Sequence, residues 1–142
     1  MTRSRIVTLA LVAVAMVAAL ALVVGCGSSS SKTLESYFKA NQSEWNSAVQ
    51  QIKESGGDVL DVDMSVSGNK ISQIMTYKQT FPAEAVSSLK ASLEGQAENL
   101  KNTVKTQIKA MEKEVGISGI TWFFDYRNGD GKSIFSMEVD GK

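Results

Sequence analysis

The sequence predicts an α+β domain of the order helix, hairpin, helix, hairpin (αββαββ), with a four-stranded antiparallel sheet and both helices on one face. Three observations carry this. Apolar residues recur at helical spacing in two long stretches, at strict alternation in four short ones, and the alternating stretches come in pairs joined by Gly/Asn turns. The chain has 142 residues and no net charge. The domain occupies residues 33–142, enough for one hydrophobic core.

Thr33 reads as the N-cap of the first helix, Leu34-Glu35-Ser36-Tyr37-Phe38 onward. Asn41-Gln42-Ser43-Glu44 is a second capping signal, so the helix breaks or kinks near Asn41 and restarts. Leu34, Phe38, Trp45, Val49 and Ile52 form its apolar face, and Gly56-Gly57 ends it. Leu60, Val62, Met64 and Val66 then alternate with Asp61, Asp63, Ser65 and Ser67. Gly68-Asn69 is a two-residue turn, which sets Ile71, Met75 and Tyr77 opposite Val66, Val62 and Leu60. Gln73 is a polar intruder on that inner face.

The second helix starts at Phe81-Pro82, with the only proline at its first position. Its apolar stripe runs from Val86 to Val115 and Gly116 stops it. At ~1.5 Å per residue it is about 50 Å long, more than a ten-residue strand covers, so it overhangs the sheet or bends at Gly95. In the last hairpin a four-residue loop, Asn128 to Gly131, pairs Phe124 with Phe135, Trp122 with Met137 and Ile120 with Val139. That puts every apolar pair on one face.

Residues 1–25 have the form of a secretory signal: Arg3 and Arg5, an uncharged Ala/Val/Leu run from Ile6 to Val24, and small residues before a break. Val23-Val24-Gly25-Cys26 resembles a bacterial lipobox. That resemblance implies cleavage between Gly25 and Cys26 and a diacylglyceryl group on the Cys26 sulfur, with palmitate-type acylation. An uncleaved transmembrane anchor is the other reading of the 19-residue apolar run. Residues 26–32, the lipid-bearing cysteine and a Ser-rich run, form a tether. The localisation expected is the extracytoplasmic face of the cell membrane, with the membrane held through the lipid on Cys26.

Composition narrows the chemistry. From Cys26 onward there are 13 basic and 15 acidic residues, so nothing argues for nucleic acid. The chain has no histidine and one cysteine. Zinc sites built on His and Cys, thiol nucleophiles beside a base and Ser-His-Asp relays are outside its inventory. No catalytic residue, metal ligand or cofactor site is assigned, and the expectation is a non-enzyme.

The lipobox, the serine tether, the Thr33-Leu-Glu-Ser-Tyr-Phe38…Asn41…Glu44-Trp45 opening, the Asp-rich first hairpin, the long helix and the final Tyr126…Asn128-Gly-Asp-Gly131 hairpin occur together. In this the chain resembles an uncharacterised family of small lipoproteins, mainly from Gram-positive bacteria, that carry a domain of unknown function of the 4854 type. The resemblance implies no activity and supplies no site residues.

Five local patterns remain. Ser-x-x-Lys recurs at Ser29, Ser36, Ser67 and Ser87, as chance allows in a chain rich in both residues. Asn128 to Gly131 superficially resembles a calcium loop, but Tyr126 and Met137 would occupy its end positions, so a turn is the reading. Asp61, Asp63 and Asp125 are the acids a carboxylate-based hydrolase of envelope glycan would use, which is the alternative function; charged residues guarding a strand are the simpler account. Lys101, Lys105, Lys109 and Lys113 form an i+4 row, either a solvated helix face or a contact for anionic envelope material. Finally, Ile74, Phe123 and Ile134 interrupt an otherwise polar outer sheet face, a candidate interaction patch. The leading function is a membrane-anchored, non-catalytic module that binds an envelope protein or polymer.

Overall fold

Alternating side chains in four strands give the domain one apolar sheet face, and helices cover it. The computed structural model describes residues 33–142. The signal at 1–25, the cleavage point Gly25/Cys26 and the tether at 26–32 lie outside the described residues. Among the described residues three helices, α1 (Leu34–Ala40), α2 (Gln42–Gly56) and α3 (Ala83–Val115), join four strands, β1 (Leu60–Ser67), β2 (Lys70–Tyr77), β3 (Thr121–Arg127) and β4 (Ser133–Asp140).

The sheet order is β1-β2-β3-β4, and the central pair β2/β3 is parallel. The purely antiparallel, two-helix expectation is therefore corrected on two counts. First, α3 links β2 to β3 and carries the chain back along the sheet. The next strand must then start at the end where β2 started, which makes a parallel neighbour. The helix length itself contained this consequence. Second, the first helix is two helices. Asn41 at φ −118° and ψ 45° interrupts it, and its Nδ2 donates to the Tyr37 carbonyl at 2.9 Å. Asn41 thus closes α1 and makes no side-chain cap on α2. Thr33 does form a reciprocal capping box with Ser36 on α1. Phe38 and Trp45 hold the break together, with ring centroids 4.2 Å apart.

The first hairpin has the expected register, Val66 opposite Ile71, Val62 opposite Met75 and Leu60 opposite Tyr77. Gly68 takes φ 58° at the first turn position, a conformation that costs glycine little. The second hairpin differs. Trp122 pairs with Val139, Phe124 with Met137 and Tyr126 with Phe135, two residues from the expected register. A shift of two leaves every side chain on its face, so alternation cannot distinguish the two pairings. The observed one adds Tyr126 to the inner face, its ring 6.2 Å from Phe135. A β-bulge follows: Arg127 pairs with Ser133, leaving Ile134 without a partner.

The core gathers Leu34, Phe38 and Ile52 from α1 and α2, Leu89 to Val115 from α3, and the inner positions of all four strands. Pro82 is the N-cap of α3, one residue before its expected place, and the helix runs unbroken through Gly95 to Gly116, whose φ is 72°. Ile108 and Glu112 lie against Gly141, just beyond the last strand. The final turns of α3 thus pass the end of the sheet.

Candidate functional site

The sheet has one face that no described helix covers. Across its width the residues run Asp63, Ile74, Asp125, Ser136 in one row and Ser65, Ser72, Phe123, Glu138 in the next. Ile74 and Phe123 are half-buried there. Phe123 lies under Lys70, whose Nζ is 5.2 Å from the ring centroid and 2.6 Å from Glu138. The third residue of the expected patch does not join them. Ile134 occupies the bulge and is buried with the core, because the bulge breaks the alternation that would have turned it outward.

The acids are separated by environment. Asp61 and Asp63 are exposed, and Asp61 pairs with Lys78 at 3.6 Å. Asp125 is buried, with Oδ2 accepting from Arg127 Nε at 2.7 Å and Oδ1 from the Ser133 hydroxyl at 2.6 Å. Both of its oxygens are thus committed within the sheet. Among the described residues no three of His, Cys, Asp and Glu come together to hold a metal.

The lysine row lies on the solvent side of α3. Lys101, Lys109 and Lys113 are exposed and Lys105 is half-buried, and none of the four makes an ion pair among the described residues, unlike Lys90 with Glu94. The acid within the row, Glu112, is committed elsewhere. Its Oε1 accepts the backbone N–H groups of Gly119 and Ile120 at 2.8 and 3.0 Å, tying the end of α3 to the start of β3.

The two hairpin turns carry asparagines whose roles turn chemistry does not reveal. Asn69 Oδ1 accepts from Leu34 N at 2.9 Å, its carbonyl accepts from Thr121 N at 2.9 Å, and its Nδ2 donates to Ser118 O at 3.4 Å. Glu35 completes this end, accepting from Gly68 N at 2.9 Å and Lys39 Nζ at 2.7 Å. The hydrogen bond from Lys39, then that from Gly68, hold its carboxyl below the ordinary range. At the other end buried Asn128 accepts from Phe81 N at 2.8 Å and donates to Phe81 O at 3.1 Å. Its neighbour Gly129 approaches so closely that an added Cβ would lie 2.7 Å from Thr80 N.

Inside the sheet, Gln73 is fully buried as expected for the polar intruder. Its Oε1, the Tyr77 hydroxyl and the Trp122 indole N–H find no hydrogen-bond partner among the described residues. Burial pushes the Tyr77 phenol up to about 12. It also raises that of Tyr126, with a smaller contribution from Tyr77.

These features define a small mixed-sheet α+β domain with a helix-covered face and an open one. The chain belongs to the family of the domain of unknown function DUF4854, which matches residues 34–139. No curated protein and no solved structure matches it. No helix among the described residues is long and apolar enough to cross a membrane.

Proposed function

We propose that the protein is a lipid-anchored extracytoplasmic module, held to the cell membrane through Cys26, that binds an envelope protein or polymer without catalysing a reaction. The observation that carries the non-catalytic part is the state of the acids. A carboxylate-based hydrolase needs two carboxyl groups facing one substrate, one of them free to exchange a proton. Here Asp61 and Asp63 are exposed on the sheet and Asp125 has both oxygens engaged. The anchor rests on the Val23-Val24-Gly25-Cys26 pattern and on the serine run that follows it.

The binding surface in this reading is the open sheet face around Ile74 and Phe123, an apolar pair flanked by the Lys70–Glu138 ion pair. Crosslinking on intact cells, followed by mass spectrometry, tests it. Wild-type protein is expected to capture a defined set of envelope partners and Phe123→Ser to lose them. Capture unchanged by Phe123→Ser removes this face from the account.

A further inference from the structure

We propose that the end of the domain bearing the Asn69 turn rests on the bilayer, with Lys109 and Lys113 against anionic lipid headgroups; this rests on the lipid-anchor reading above. Three observations converge on that end. Residue 33 lies there, because Leu34 N and Glu35 N bond to Asn69 Oδ1 and Gly68 O. However the chain before it is arranged, the seven residue steps from Cys26 to Thr33 reach no more than about 25 Å. A lipid on Cys26 therefore keeps this end near the headgroups.

The last turns of α3 project past the sheet at this same end. Ile108 and Glu112 are level with Gly141, and Glu112 grips Gly119 and Ile120 just before β3. Lys109 and Lys113 flank Glu112 on those projecting turns, exposed and without ion pairs among the described residues. Of the other acids at this end, Glu35 and Glu138 are paired with Lys39 and Lys70, while Asp140 accepts the backbone N–H of Lys142 and keeps its charge. Glu114, the remaining acid of the last turns, projects about 100° round the helix from Lys113.

Free ammonium groups held close to a surface by a tether meet an anionic leaflet at high effective concentration, where each contributes an attraction that fades within a Debye length. Lys101 and Lys105 continue the row away from the surface. The opposite end, with Asn128 and the 79–82 segment, then projects outward.

The lipidated thiol leaves the chain free of reactive cysteine, so one introduced cysteine gives a clean reporter. The mature full-length protein is reconstituted in vesicles of phosphatidylcholine alone or with one-third phosphatidylglycerol. A fluorophore is placed at Ser118→Cys, near the tether end, or at Gln79→Cys, at the far end, and a spin-labelled headgroup serves as quencher. In anionic vesicles the label at 118 is expected to be quenched several-fold more than that at 79. The gap is expected to shrink in phosphatidylcholine alone and in K109Q/K113Q. Equal quenching at the two sites, or a gap indifferent to both lipid charge and K109Q/K113Q, overturns the proposal while leaving the anchor intact. Failure of the protein to float with either vesicle overturns the anchor itself, and this orientation with it.

Discussion

The two hairpin turns do the same work at opposite ends of the domain with unequal protection from water. Asn69 pins the start of α1 from a half-buried position, and Asn128 pins the residue before the α3 cap from a buried one. Each side chain acts as a substitute for backbone, bonding a segment 35 or 47 residues away in sequence. The difference is how many buried groups depend on it. Asn69 serves one, the N–H of Leu34, whereas Asn128 serves both Phe81 N and Phe81 O, which would be left unpaired inside the protein.

This contrast predicts unequal costs. Asn128→Ala should destabilise the domain by about 3 kcal/mol, since two buried backbone groups lose their partner at roughly 1–3 kcal/mol each. Asn69→Ala leaves one buried group, the Leu34 N–H, without its partner and should cost half as much, roughly 1.5 kcal/mol. Urea denaturation of both variants measures the difference. Equal costs would mean that the number of buried groups served does not separate the two turns. A smaller effect of opposite sign is expected at the sheet centre. Gln73→Met removes an unpaired acceptor at nearly constant volume and should stabilise by about 1 kcal/mol. A loss of stability there would show that Gln73 Oε1 is satisfied by a bound water.

The same two hairpins show what was legible in the sequence. Gly68-Asn69 allows only a two-residue connection, so the first register followed from the turn. The Asn128–Gly131 region allows several loop lengths, and alternation fixes only whether a residue faces in or out. The inner face was therefore readable and its pairing was not, and the bulge that buries Ile134 left no mark in the pattern. The parallel β2/β3 pair was implied by a helix long enough to return the chain, an inference from length rather than periodicity. At the candidate sites, exposure of Asp61 and Asp63 followed from alternation. The commitment of Asp125 to Arg127 and Ser133, and of Glu112 to the Gly119–Ile120 backbone, depends on contacts that local spacing does not encode.

The proposed anchor would give the two ends different surroundings, and it is tested most directly by the mass of the mature N-terminal peptide from the membrane fraction. A peptide beginning at Cys26 and carrying a diacylglyceryl mass is expected. Cys26→Ala should instead leave uncleaved chain with residues 1–25 attached. An unmodified Cys26 in the wild-type membrane protein, or a chain still beginning at Met1, would contradict it.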